Sequence, residues 1–389
     1  MKKIGPACYV EWNKERDGRK ETGVIEYPLF SDAYSFVDDI VINQCPYQIL
    51  APDNTPKNNL VLMRLILRVK LYETESSTTE SPINEAPFDF YLQTNPHEQI
   101  ASLLSLCLGV RIKVGAISRI FNNTDPLGIP CTANTHENPP PVSLIGDHVV
   151  LPSALRNIYE NDSIFSLSTI EQHLSSFIRL TPEQAELLVC AAKLYRDALW
   201  LIETEPQLAW IMLVSALEVI AAKHITLNAT PKEVFEDLHP DLTSEILSRQ
   251  DGTTLLSKIA DIFIDKKLVG KKYLNFLLDF LPEPPPIRGL LNMQIDWSEL
   301  KRNNNKNPLM TIYDYRSKAL HAGKPFPLEM CYGPRGTGIP YELAEKPQSV
   351  HVIHEGKHLK NKPGPMLINT FEYIVRNALL NWWNKCGNS

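Results

Sequence analysis

The middle of the chain reads Ala209-Trp210-Ile211-Met212-Leu213-Val214-Ser215-Ala216-Leu217-Glu218-Val219-Ile220, with a single charged side chain among apolar neighbours. A segment that is apolar almost all round predicts a helix at the centre of a helical bundle. We expect this helix to cover residues 206–225. An unpaired buried carboxylate is costly, so Glu218 should have a cationic partner in a structural ion pair.

Helical periodicity begins upstream, at Thr181-Pro182-Glu183-Gln184. A threonine N-cap, a proline at the first helical position and a glutamine that completes a capping box predict a helix that runs to residue 202. Shorter helices are predicted over 232–238, 242–249, 253–264 and 271–281, before a proline-rich break at 282–286. A helix over 307–321 and a last helix over 366–383 complete a bundle built on four long helices.

The first part of the chain has a different periodicity. It predicts strands over 24–30, 38–43, 59–72 and 88–92, and extended segments over 111–121 and 142–151, with loops at 76–86 and 138–141. One amphipathic helix is expected over 97–108, with Ile100, Leu103, Leu104 and Cys107 on one face. The predicted fold class is α+β with two domains: a β-rich α+β module over residues 1–165 and an all-α helical bundle over residues 175–389.

The helix predicted over 307–321 leads into Tyr313-Asp314-Tyr315-Arg316-Ser317-Lys318-Ala319-Leu320-His321-Ala322-Gly323, where the glycine is a stop signal. Arg316 is a permanent cation whose fork of donors suits a phosphate, and His321 can exchange protons near neutral pH. These two groups are a minimal set for metal-free phosphodiester cleavage. Five residues correspond to about 140° of helical rotation, so the arginine stem and the last helical turn must bring the two together.

This R-x4-H pattern, on the penultimate helix of an α-helical half, resembles the signature of HEPN domains. Together with the S-x-L-E pattern at 215–218, it is similar to the Apea-like branch of that family, over residues 180–385. The family contains many metal-independent ribonucleases of prokaryotic defence, including antiviral defence, and of toxin systems. The resemblance implies that Arg316 and His321 are catalytic and line a cleft at a two-fold dimer interface. Arg316 would steady the phosphorane, and His321 would shuttle a proton while the RNA 2′-hydroxyl attacks.

Other side chains are candidates for supporting roles. Glu218 is the simplest partner for Arg316 and would orient it. Ser317 departs from the family, in which catalytic members commonly carry Asn, Asp or His after the arginine. Serine can hydrogen-bond a phosphate but carries protons poorly at neutral pH, so binding without turnover stays open. The candidates for phosphate binding are Lys318, Lys324 and Arg335.

The chain of 389 residues has a net charge of -6, which excludes a generally basic nucleic-acid-binding composition. The charge is unevenly distributed. Residues 301–389 contain 13 Lys and Arg against 6 Asp and Glu, a net of +7, whereas the remaining 26 basic and 39 acidic residues give a net of -13. An RNA-binding face around Arg316 and His321 would explain this distribution. A basic tail that balances an acidic body would explain it equally well.

No cofactor, metal or disulfide is expected. The seven cysteines are dispersed and form no C-x-x-C pair. The stretch His351-Val352-Ile353-His354-Glu355-Gly356-Lys357-His358 lacks the H-E-x-x-H order, so a solvated basic loop is expected there instead of a metal site. We predict no signal peptide and no membrane span, because charged residues interrupt the apolar stretches. The expected location is a reducing cytoplasm.

The sequence therefore predicts an RNA-cleaving effector, a metal-independent endoribonuclease that acts as a homodimer. The N-terminal module would be a sensor or gate for an unknown trigger ligand. The dimer is expected because the apolar side chains of the last helix exceed a single packing stripe: Leu367, Ile368, Phe371, Ile374, Val375, Ala378, Leu379 and Trp382. Two alternatives stay open, a non-catalytic HEPN protein that binds nucleotide or RNA, and a helical interaction scaffold in which R-x4-H is structural.

Overall fold

The computed structural model describes residues 5–31, 33, 35–52, 62–73, 95–122, 125–131, 164–225, 230–304, 306–331, 344–347, 351–354, 357–360 and 364–388. Over these ranges the fold is mixed α+β, with a mostly antiparallel sheet in the N-terminal half and helices in the C-terminal half. Several expected features lie outside the described residues: the strands over 88–92 and 142–151, the loops over 76–86 and 138–141, and the phosphate-binding candidate Arg335.

The strands of the N-terminal half are β1 (Glu21–Ser31), β2 (Ser35–Val37), β3 (Ile40–Val41), β4 (Tyr47–Leu50), β5 (Leu62–Tyr72), β6 (Ile112–Val114), β7 (Arg119–Asn122), β8 (Asp125–Pro130) and β9 (Ile164–Ser166). The main sheet has the order β3-β4-β5-β1-β7-β8, and β6 also pairs with β1. A separate parallel pair joins β2 to β9. The strand predicted over 24–30 is confirmed. Of the strand predicted over 38–43, only Ile40–Val41 (β3) is formed, and Asp38, with a φ of 67°, lies between β2 and β3.

Helices occur in both parts of the chain, and most of them begin after the last of these strands. They are α1 (Ala7–Arg16), α2 (Pro96–Leu108), α3 (Ser168–Ser176), α4 (Pro182–Leu201), α5 (Pro206–His224), α6 (Pro231–Leu238), α7 (Pro240–Leu247), α8 (Gly252–Phe280), α9 (Trp297–Leu300), α10 (Pro308–Ala322), α11 (Leu328–Cys331) and α12 (Ile368–Gly387). The capping box at the start of α4 is confirmed: Thr181 Oγ1 accepts from the Gln184 N–H, and the Gln184 side chain accepts from the Thr181 N–H.

Helix α2 confirms the helix predicted over 97–108, but its environment differs from the prediction. Residues 99–108 are all buried, including the polar Gln99, Ser102 and Ser105. Those polar groups have partners: Gln99 Oε1 accepts from the Cys8 N–H at 2.8 Å, and Ser105 Oγ accepts from the Ile112 N–H at 3.1 Å. The expected solvent face is therefore an internal polar face.

Two predictions about the helical half are wrong. The separate helices expected over 253–264 and 271–281 form one helix, α8. The glycine between them, Gly270, does not end the helix, and it lies against the ring of Tyr313, which a side chain there would crowd. The basic loop expected at 351–358 is a β-hairpin of strands β10 (His351–His354) and β11 (Lys357–Lys360), whereas Glu355 and Gly356 lie outside the described residues.

The last helix, α12, also differs from expectation. The eight apolar side chains expected to extend beyond a single packing stripe are all buried within this chain. Trp382 and Trp383 are likewise core residues, at 1% and 0% exposure. The sequence argument for a dimer from the width of this helix is therefore wrong. The homodimer itself stays a prediction.

One hydrophobic core extends through both halves of the chain, from Cys8 to Trp383. Polar contacts also join the halves. Arg196 on α4 binds Glu98 on α2 at 2.5 Å, and Arg111 binds the Leu199 carbonyl at 2.7 Å. The division into modules at 1–165 and 175–389 stays a prediction. The two segments share a continuous packed interior.

Candidate functional site

Both ends of α10 are fixed by local hydrogen bonds. At its start, Asn307 Oδ1 accepts from the Leu309 N–H at 2.8 Å, while Asn307 Nδ2 donates to the carbonyls of Leu300 and Arg302. At its end, Gly323 adopts a left-handed conformation with φ 61°, which glycine tolerates best. The helix that carries the R-x4-H motif is thus defined at both termini, and the predicted stop at Gly323 is confirmed.

Arg316 points from α10 to α5, where Nη2 donates to Glu218 Oε2 at 2.5 Å. The arginine side chain is 19% exposed and the glutamate side chain 12%. The prediction that Glu218 pairs with Arg316 is confirmed. Burial raises the pKa of Glu218, and the positive charge of Arg316 limits that rise. The pair is well removed from bulk solvent, so loss of either partner would leave the other charge uncompensated.

Two tyrosines extend this ion pair, and neither was predicted. Tyr313 precedes Arg316 by one helical turn, and its hydroxyl also hydrogen-bonds Glu218. Burial and the Glu218 charge raise the pKa of Tyr313, so its hydroxyl stays a donor. The Tyr273 ring on α8 lies 5.1 Å from the Tyr313 ring. The motif spacing could have revealed Tyr313, whereas Tyr273 depends on how α8 packs.

Two polar atoms around this cluster are buried without a partner among the described residues: the Tyr273 hydroxyl and Arg316 Nε. Burial, and then the charge of Glu218, raise the pKa of Tyr273 well above its ordinary value. A buried donor without an acceptor costs free energy. A ligand oxygen or an ordered water that reached Arg316 Nε would remove that cost.

The remaining predicted residues on α10 and directly after it lie towards solvent. Lys318, His321 and Lys324 are exposed, and Ser317 is partly exposed. Residues three and four apart share a helix face, so His321 lies on the side of Ser317 and Lys318. Within the described ranges, no hydrogen bond or ion pair joins His321 to Arg316. The structure therefore brings Arg316 and Glu218 together and leaves His321 on the adjacent solvent-facing surface.

Helix α5 keeps part of its apolar surface open beside Glu218. Leu208 is 46% exposed, and Ile211, Met212 and Val219, on the same side of the helix, are partly exposed. Of the helices in the described ranges, α5 is long and apolar enough to cross a membrane. That is weak evidence, because a core helix passes the same test, and the opposite side of α5 is buried within the chain.

The described residues contain no group of three or more His, Cys, Asp and Glu side chains that could hold a metal ion. All seven cysteines are free. Comparison of the chain with protein-family models, with curated proteins and with solved structures found no match.

Proposed function

We propose that this protein is a metal-independent endoribonuclease of the R-x4-H type, similar to HEPN ribonucleases. The observation that carries the proposal is the Arg316–Glu218 pair beside an exposed histidine on the same helix. The carboxylate fixes the arginine without taking all its donors. Exposed Lys318 and Lys324 add positive charge next to it, as a polyanion requires.

The chemistry needs no bound metal. The RNA 2′-hydroxyl attacks the adjacent phosphorus, the bond to the 5′-oxygen breaks, and a 2′,3′-cyclic phosphate and a 5′-hydroxyl form. Arg316 stabilises the negative charge that builds on the phosphorane. Protonated His321 donates a proton to the leaving 5′-oxygen. In a dimer the second His321, in its neutral form, accepts the proton of the 2′-hydroxyl, so the proton count balances.

The open apolar side of α5 supports the dimer. It lies on the helix that carries Glu218, so a second copy packed on it would bring two motif helices close to one axis. Two Arg316–His321 pairs then face one phosphate. The open side of α5 therefore replaces the last helix, α12, as the proposed dimer contact.

The test is incubation of the purified protein with labelled RNA in EDTA. Wild type is expected to yield products with 2′,3′-cyclic phosphate and 5′-hydroxyl ends. His321→Ala should abolish cleavage with folding and RNA affinity nearly intact, because only the proton carrier is lost. Arg316→Ala should lose cleavage and part of the RNA affinity. Arg316→Lys keeps a positive charge as partner for Glu218 but lacks the guanidinium fork, so it separates the effect of the charge from that of the donor geometry.

The matched control is His239→Ala, which removes another exposed histidine, between α6 and α7. It should cleave like wild type. Cleavage by the His321→Ala or the Arg316→Ala variant at the rate of this control would overturn the assignment.

One alternative has an observation in its favour. Ser317 stands in place of a proton-carrying side chain, and Arg316 is only 19% exposed. Both features favour a protein that binds RNA or a nucleotide without turnover. In that case the labelled RNA in the same assay shows a salt-sensitive shift in mobility, and no cleavage products form.

A further inference from the structure

A groove opens on the N-terminal half, between the sheet, α1 and the start of α2, far along the chain from the motif helix. Its volume is about 770 Å³, within the range of pockets that hold small organic ligands. Ile25, Val69 and Ile117 form apolar parts of its wall. The proposed ribonuclease chemistry uses none of these residues.

One wall of the groove is an aromatic stack. The rings of Tyr27 and His97 lie 4.1 Å apart at an interplanar angle of 23°. Burial lowers the pKa of His97, so the imidazole is neutral at pH 7 and has one donor and one acceptor nitrogen. Tyr27 is 8% exposed, and no hydrogen bond to its hydroxyl is found in the described ranges. The stack thus offers a flat face with unused polar atoms at its edge.

The charges around the groove are balanced. Lys14 pairs with Glu11 at 2.7 Å, and Lys70 pairs with Glu15 at 2.8 Å. An anionic ligand would meet carboxylates, and a cationic ligand would meet ammonium groups. Neutral donors and acceptors remain, among them the exposed amide of Asn95, the N-cap residue of α2, whose side chain makes no capping hydrogen bond.

We propose that this groove binds an uncharged planar heteroaromatic ring of the nucleobase kind, stacked on His97 with its polar edge towards Asn95 and the Tyr27 hydroxyl. Stacking on an aromatic face stabilises any such ring, and the mixed donors and acceptors select one that is polar but uncharged. The site is independent of RNA cleavage.

Saturation-transfer NMR on the full chain tests the proposal, with adenine and indole as uncharged probes and benzoate and benzylamine as charged ones. Adenine and indole should receive saturation from wild type. His97→Ala removes the stacking face, and Ile117→Trp fills the groove from its partly exposed rim, so each should weaken binding by about ten-fold or more. Val41→Trp, at a 59% exposed position on edge strand β3, is the matched control and should bind like wild type.

Three outcomes overturn the proposal: no transfer to either uncharged ring, equal transfer in the Ile117→Trp variant, or stronger transfer to benzoate or benzylamine. Circular dichroism verifies the fold of each variant. If His97→Ala does not fold, the comparison of probe binding between Ile117→Trp and Val41→Trp still tests the proposal. The cleavage assay is separate, so a failure of one proposal leaves the other standing.

Discussion

Glu218 is a carboxylate in an otherwise apolar segment, and its surroundings determine how Arg316 can act. The need for a cation could be predicted from the sequence, because burying a lone charge is costly. The tyrosines could not be fully predicted. Tyr313 shares a helix face with Arg316, but Tyr273 reaches the cluster only through the packing of α8 on α10. His321 was predicted on the correct helix, and its separation from Arg316 by about 140° of rotation is visible from spacing alone.

Glu218→Gln should destabilise the protein and reduce cleavage, because a largely buried guanidinium loses its counter-charge. The free energy of unfolding in urea should fall by up to about 3 kcal/mol. Glu299→Gln is the control, since Glu299 and Arg302 form an exposed pair at 3.6 Å that should contribute little. Equal unfolding midpoints for the two variants would contradict a buried orienting role for Glu218.

A second buried carboxylate predicts a pH dependence. Glu372 on α12 accepts a hydrogen bond from the Tyr195 hydroxyl, and burial raises the pKa of Glu372 to about 7 from 4.5. The folded state therefore binds this proton more tightly than the unfolded chain does. The stabilisation is full below pH 4.5 and is lost as pH rises through about 7, a change of up to about 3 kcal/mol.

Glu372→Gln resembles the protonated acid and should remove this pH dependence. The measurement is urea unfolding between pH 5 and 8, read as the difference between wild type and variant so that other titrating groups cancel. The variant should gain stability relative to wild type as pH rises. A constant difference across that range would count against a raised pKa.

At the scale of elements, the sequence predicts best where local chemistry is complete. The capping box of α4 and the glycine stop of α10 are local signals, and both are confirmed. Two helices were predicted where α8 is continuous, and its central Gly270 packs against Tyr313, a contact that no local sequence signal shows. α2 was expected to be amphipathic, with its polar side chains in solvent. Those side chains are instead satisfied by partners elsewhere in the chain, which no local sequence signal shows.

The C-terminal end of α2 predicts how the two halves of the chain are coupled. At its C-terminus, Arg376 from α12 donates to the carbonyls of Leu106, at 2.9 Å, and of Cys107. Arg376→Met keeps the apolar stem and removes these bonds, which should cost about 1–3 kcal/mol in urea unfolding. Hydrogen exchange should quicken at the end of α2. Arg249→Met, at an exposed position after α7, should change neither the unfolding free energy nor the exchange rate. A similar loss of stability in both variants would contradict the coupling.

At the scale of the whole molecule, the mixed α+β class and the change from strands to helices could be predicted from periodicity. The continuous core could not, because it depends on long-range contacts between α2 and the helices of the second half. The last helix is buried inside its own chain by α4, α5 and α8 together with α2. Helix α5, beside the Arg316–Glu218 pair, keeps an apolar side open, with Leu208 46% exposed.

That surface gives the assembly prediction. One Arg–His pair supplies little positive charge for the phosphorane, whereas two pairs across a two-fold axis double it. Leu208→Glu places a carboxylate on the open side of α5, in the first turn, where the helix itself tolerates an acid. It should convert a dimer into a 44.1 kDa monomer in light scattering and reduce cleavage together with assembly.

Leu242→Glu is the matched control, because Leu242 on α7 is 45% exposed against 46% for Leu208. It should leave both assembly and cleavage unchanged. A wild-type protein that stays a strict monomer at low micromolar concentration, with or without RNA, would count against the dimer and the shared site alike. Cleavage by that monomer would then require a single His321 to both accept and donate the proton, and the rate should follow protein concentration linearly instead of quadratically.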